Sequence, residues 1–232
     1  SGGEILGIAG LAGNGQSELM EQLSGETLAN NAESIQLSGI SVGKMGPLER
    51  REMGLCYIPE ERMGHGAVPD LTLWENAFLS AMDRKKLSKG GFINIQKSRS
   101  FSESVVKRFK VKGGGVEQSA SSLSGGNLQK YIVGREIAQD PIVLIALQPT
   151  WGVDAGSAAA IHKEIVNLAE KGTAVLIISQ DLDELFLICD RIAVISQGRL
   201  SPPMPANGTT VGEIGLLMGG EPAGQRSLEG DL

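Results

Sequence analysis

Between an apolar run, Glu4 to Ala9, and a stretch where Leu19, Met20 and Leu23 recur at helical spacing up to Gly25, the chain reads G-L-A-G-N-G-Q-S over Gly10 to Ser17. Strand, glycine loop and helix in direct succession restrict the fold to α/β architectures in which a loop at the carboxyl end of a strand opens a helix. Gly10, Gly13 and Gly15 let backbone N–H groups turn toward an anion, and Ser17 stands where a hydroxyl would reach a magnesium ion. Asn14 and Glu18 complete the candidate nucleotide-binding stretch. Where loops of this spacing carry lysine, this one has Gln16. A hydrogen bond to a charged group is worth about 1.5–3 kcal/mol and a neutral one about 1, so phosphate affinity is expected to be weakened without being abolished.

Ile142 to Leu147, bounded by Pro141 and Pro149, and Ala174 to Ser179 are apolar runs of the kind buried on both faces of a parallel sheet. The helix expected between them has a polar start at Asp154 to Ser157, apolar positions at Ile161, Ile165 and Leu168, and Gly172 as its stop. Ile192 to Ile195 reads as a further strand and Thr210 to Met218 as a short closing helix, while Glu221 to Leu232 is expected to be loose. Leu73 to Ser122 is helical or polar in texture and rich in lysine. The expected organisation is one domain with a core of 1–72 and 123–205, a helical subdomain at 73–122 and a C-terminal tail at 206–232.

A net charge of −6 gives no basic footprint for nucleic acid, and the lysines from Lys85 to Lys112 read as a solvated face. Cys56 and Cys189 lie in apolar segments and are expected to be buried reduced thiols, which favours a reducing compartment. No export signal and no apolar run near 18 residues is seen, so the chain is expected neither to cross a membrane nor to carry an export signal, though it could still dock on a membrane protein. His65 and His162 have no Cys or His neighbours at metal-ligand spacing.

A second motif, L-S-G-G-N-L-Q-K from Leu123 to Lys130, precedes apolar helical positions at Leu128, Ile132, Val133 and Ile137. With the glycine loop about 110 residues upstream, it resembles an ATP-binding cassette domain, which implies a P-loop NTPase (RecA-like) parallel-sheet core with an inserted helical subdomain. The strings G-E-I-L-G-I-A-G, Y-I-P-E-E-R and L-S-G-G-N are similar to those of the second of two tandem cassettes in bacterial simple-sugar and nucleoside importer ATPases. G-N-G-Q-S-E, I-A-L-Q-P-T and E-I-G-L-L-M resemble the nucleoside branch. The resemblance implies ATP and Mg²⁺ as ligands and a sister cassette, upstream in the same polypeptide, paired head to tail. It further implies transmembrane permease subunits, a substrate-binding protein reached through them, no nucleic acid, and a peripheral place on the inner face of the membrane. An upstream strand bearing an aromatic residue that stacks on adenine is expected to precede Ser1.

By the same resemblance, Leu147 replaces the acid that helps hold magnesium, Gln148 the carboxylate that polarises water, and Gln180 the histidine near the γ-phosphate. General-base loss commonly costs on the order of 10²–10⁴ in rate, so no residue here is assigned as catalytic and the domain's own site is expected to be weak or inactive. The signature motif Leu123, Ser124, Gly125, Gly126 and Asn127 is intact. Placed at the start of an Asn127 to Ala138 helix, it is expected to serve the sister cassette's γ-phosphate through free N–H groups and the helix dipole. Asp154 and Glu60 are the expected coupling loops, toward the opposing cassette and the membrane subunit, and Asp154 alone also reads as a helix cap. Trp74 reads as either a core residue or a contact for the membrane subunit, and Trp151 stands where the family commonly has arginine. Two rival readings stay open: a homodimer that hydrolyses ATP by itself with Glu60 or Glu61 as base, and a soluble cassette protein acting on nucleic acid.

Overall fold

The structure is a computed structural model and describes residues 1–220. Strand β1 (Ile5–Ala9) runs through the glycine loop into α1 (Gln16–Ser24). The hairpin β2 (Gln36–Leu37) and β3 (Ile40–Ser41) and the short α2 (Pro47–Glu52) lead to β4 (Leu55–Ile58). Then come α3 (Leu73–Ala81), the hairpin β5 (Ser88–Lys89) and β6 (Phe92–Ile93), and α4 (Ile95–Arg108). After α5 (Gly125–Ile137) the chain alternates through β7 (Val143–Leu147), α6 (Ala155–Glu170), β8 (Ala174–Ser179), α7 (Leu182–Ile188) and β9 (Arg191–Ser196). It closes with β10 (Arg199–Leu200), β11 (Met204–Pro205) and α8 (Val211–Met218).

Strands β4, β7, β8, β1 and β9 lie side by side in that order, all parallel, and β10 and β11 pair antiparallel with β9. The apolar runs lack alternation because helices cover both faces. Leu144 and Ala146 of β7 enter the larger core with Leu128 and Ile132 of α5 and Ile161 and Ile165 of α6. Their neighbours Ile145 and Leu147 face the opposite side, with Met20 of α1. In a parallel sheet the carboxyl ends share one edge, so the glycine loop after β1, Pro59 and Glu60 after β4, Leu147 at the end of β7, Gln148 just after it and Gln180 after β8 meet there.

The structure departs from the sequence reading in places. The signature helix starts at Gly125, with Ser124 at its N-cap (φ −63°, ψ 152°), and not at Asn127. Two glycines of poor helix propensity carry no apolar periodicity, so the pattern becomes visible a turn late. The segment after Leu73 holds a β-hairpin as well as helices. It is tied to α5 by Tyr131, whose hydroxyl donates to the Leu73 carbonyl and meets Ser102 Oγ at 3.0 Å, and by Gly134, where a Cβ would stand 2.5 Å from the Phe109 ring. Trp74 is no core residue: it is half-buried, its indole donating to Glu117 at 3.2 Å under the Arg99 guanidinium. Helix α8 seats Ile214 and Met218 in the larger core. The expected loose segment Glu221–Leu232 lies outside the described residues.

Candidate functional site: a glycine-loop cleft and a separate signature helix

In the glycine loop, Gly13 and Gly15 take φ of +80° and +107°, which only glycine adopts without strain. Gly10 is required for a different reason, since a Cβ there would stand 2.6 Å from Ile195 Cγ2 and 2.7 Å from Gln16 Nε2. Gln16 is 93% buried and folds back into the loop. Its Nε2 donates to the Leu11 carbonyl at 2.6 Å, and its Oε1 accepts from the Asn14 N–H at 3.1 Å. The amide thus bridges the loop internally and occupies one of the N–H groups that would face an anion. Asn14 pins the loop from outside, its Oδ1 accepting from Gln197 N at 2.7 Å and its carbonyl from Gly198 N at 3.0 Å. Ser17 and Glu18 are exposed on the first turn of α1.

The strand ends complete a cleft of about 110 Å³ whose lining includes Gly13, Gln16, Ser17, Glu60, Leu147, Gln148 and Gln180. Gln16, Leu147, Gln148 and Gln180 therefore meet there, whereas Asn14, Gly15 and Glu18 line a neighbouring hollow with Gln197 and Gly198. Gln148 is buried in the left-handed conformation (φ 52°), its N–H donating to the Ile178 carbonyl at 2.8 Å and its Oε1 standing 3.3 Å from Ser179 Oγ. Ser179 donates to Glu184 Oε2 at 2.7 Å, while Thr150 donates to Glu184 Oε1 at 2.6 Å and His162 Nε2 lies 2.9 Å from it. Burial alone would raise the Glu184 pKa, but the hydrogen bonds from His162, Thr150 and Ser179 outweigh it and hold the carboxyl below its usual range. This cluster fixes the two strand ends that carry Gln148 and Gln180.

Leu123, Ser124, Gly125, Gly126 and Asn127 form no part of that cleft. They sit at the N-terminus of α5, where Ser124 and Gly125 are exposed and Asn127 Nδ2 donates to Ser124 Oγ at 2.9 Å. A Cβ on Gly126 would lie 4.0 Å from Asp154 Oδ2, so the signature motif and the Asp154 turn are brought together. Asp154 caps α6, accepting from Ser157 N at 2.9 Å and Ser157 Oγ at 2.7 Å, and these bonds lower its pKa. Trp151 is 65% exposed beside this turn.

Two buried charged groups behind the site's elements escaped the sequence reading. Fully buried Arg50 donates to the Leu23 carbonyl at 2.9 Å and to that of Gln22, placing a cation on the C-terminus of the helix that opens the glycine loop. Fully buried Glu136 of α5 pairs with Arg51 at 2.7 Å and Arg135 at 2.9 Å, and Arg135 reaches the Gly66 carbonyl at 2.8 Å. Burial would raise the Glu136 pKa; the two guanidiniums instead hold it down. Partners so far apart in sequence leave no local pattern, and an arginine in a short polar helix looks like surface. Among the described residues no group of three His, Cys, Asp or Glu could hold a metal ion. His65 faces Glu26 and His162 faces Glu184. Cys56 and Cys189 are both buried and unpaired.

The family model described as "ABC transporter" matches residues 1–150. The chain is 40% identical over 218 residues to a nucleoside import ATP-binding protein of Lactococcus lactis, covering 94% of this chain and 43% of that protein. It is 39% identical to a guanosine import ATP-binding protein of Bacillus subtilis (94% and 42%), and 35% identical to a ribose import ATP-binding protein of Rhizobium meliloti (98% and 44%). It therefore spans less than half the length of these relatives. Its fold matches the ATP-binding cassette MJ0796, solved as a dimer with ADP and Pi, at a TM-score of 0.76 with 20% identity, over 90% of this chain and 88% of that one. No helix among the described residues is long and apolar enough to cross a membrane.

Proposed function

Given that the chain belongs to the ABC transporter family, we propose that it is a cassette domain of a nucleoside or simple-sugar importer, degenerate at its own site and completing the hydrolytic site of a sister cassette. The likeness to importer proteins longer than twice this chain supports a tandem arrangement, and the degenerate cleft is the reason for reading this domain as the second in its polypeptide. Residues 73–122 would form the helical subdomain between core segments 1–72 and 123–205, with α8 packed back onto the core rather than trailing as a tail. Permease subunits would dock near Glu60, with the substrate-binding protein on the far side of the membrane and the cassettes on the inner face.

The observation that carries the reading is the contrast between the two motifs. The cleft gathers Gln16, Leu147, Gln148 and Gln180, none of which supplies a cation or a proton-accepting carboxylate. Its residues fit a triphosphate in part. Gly13 and Gly15 open the loop and Ser17 presents a hydroxyl, but Gln16 draws the Asn14 N–H inward, and Leu147 gives magnesium no oxygen, leaving Ser17 and Glu60 to hold it. ATP would supply the energy for closing the cassette pair, and here it would be held weakly. The N-terminus of α5, in contrast, lies exposed with Ser124 at its cap, free to serve a γ-phosphate brought by another subunit.

The test is Ser124→Arg in the assembled transporter. ATP turnover should fall by about a hundredfold or more, the scale for losing a preorganised donor at developing charge. Unchanged turnover would overturn the reading. So would brisk magnesium-dependent hydrolysis by the purified domain that disappears on Glu60→Ala, the outcome required of a self-sufficient homodimer.

A further inference from the structure

We infer that Arg62 is a positioning residue that passes movement of the Glu60–Glu61 segment to the signature helix and to the turn before Asp154. The inference rests on the role proposed above for that helix.

Arg62 belongs to a tight loop. The Gly66 N–H donates to the Glu61 carbonyl at 2.9 Å and the Ala67 N–H to the Arg62 carbonyl at 2.7 Å, so displacement at Glu60 carries Arg62 with it. From this loop Arg62 Nε donates to Gln129 Oε1 at 3.0 Å. Gln129 is 1% exposed in α5, and its Nε2 donates to the Pro149 carbonyl at 2.7 Å, directly after Gln148. A continuous chain of polar contacts thus joins the Glu60 loop, the signature helix and the end of β7.

The guanidinium also fills the space left by two glycines. A Cβ on Gly125, inside the signature motif, would stand 2.8 Å from Nη1, and one on Gly152 would stand 3.1 Å from Nη2. Nη2 is buried with no acceptor among the described residues. A desolvated charged donor without a partner is costly, so this placement has a reason other than satisfying the arginine. The planar fork meets α5 at Gln129 and Gly125 and the turn at Gly152, at fixed angles that a flexible ammonium cannot reproduce. Movement of the Glu60 loop therefore tilts the N-terminus of α5 and the Gly152 turn together.

The experiment uses the full-length polypeptide, alone and assembled with its permease, and compares ATP turnover in the two states for wild type, Arg62→Lys and Ser124→Arg. Arg62→Lys should cut the permease-dependent stimulation about tenfold, the scale of one lost charge-assisted hydrogen bond, with the KM for ATP unchanged. Retained stimulation overturns the inference. So does a proportional fall in both turnovers accompanied by a lower melting temperature, which is what a merely structural arginine gives. Ser124→Arg separates the two levels: if it leaves turnover intact the parent reading has failed, whereas if it abolishes turnover and Arg62→Lys keeps full stimulation, the Arg62 inference alone has failed.

Discussion

Replacing Gln16 by lysine should tighten nucleotide binding at the domain's own cleft without creating an efficient ATPase. In the native chain the Gln16 amide makes two neutral hydrogen bonds within the loop, to the Leu11 carbonyl and from the Asn14 N–H. Lysine would exchange a neutral contact worth about 1 kcal/mol for a charge-assisted one worth about 1.5–3. Having no acceptor, it would also release the Asn14 N–H toward phosphate, adding about 1 kcal/mol. The sum is about 1.5–3 kcal/mol, or roughly ten- to a hundredfold in Kd at 1.4 kcal/mol per decade. Titration calorimetry with ATP and Mg²⁺ on wild type and Gln16→Lys reads this directly. Turnover should stay slow because Leu147 still offers magnesium no oxygen and Gln148 no base. An unchanged Kd would show that Gln16 does not limit the site, and rapid hydrolysis would refute the assignment of Leu147 and Gln148 as disabling.

Glu136→Gln should destabilise the domain by about 3 kcal/mol in urea unfolding, because Arg51 and Arg135 would keep buried charges without their carboxylate. Its ATP affinity should not change, since Glu136 lies outside the cleft. Glu184→Gln tests the cluster behind Gln148. The lowered pKa means that the Glu184 carboxylate stabilises the fold above the usual glutamate value of 4.5 and that this contribution fades as pH falls through the folded-state value. The variant should therefore be less stable than wild type by about 1–3 kcal/mol at neutral pH, with the gap closing on acidification below 4.5 in pH-dependent urea melts.

Much of the frame could be read from the residues. The β1–loop–α1 unit, the buried strands β7 and β8 and the Asp154 cap of α6 follow from local patterns of turn chemistry and apolar spacing. Strand β4 could not, since the four residues Leu55–Ile58 are too few to show a period and only pairing with β7 makes them a strand. Within the cleft, Gln16 was recognised by the charge it lacks, while the two bonds it makes are tertiary facts of the loop's curvature. The Arg62–Gln129–Pro149 chain and the Arg51–Glu136–Arg135 group link positions distant in sequence, which no local window brings together.

Arg50 holds the rear of α1, and nothing in the Gly10–Ser17 loop takes part in that hold. The helix is thus clamped at its rear by a buried cation, while the bonds of Gln16 and Asn14 at its front are made independently of that hold. A chain built in this way can lose or regain a working phosphate grip through a few exchanges at the front while the remainder of the domain stands still. That gives a physical route by which one of two paired cassettes can fall silent yet persist as a folded counterpart.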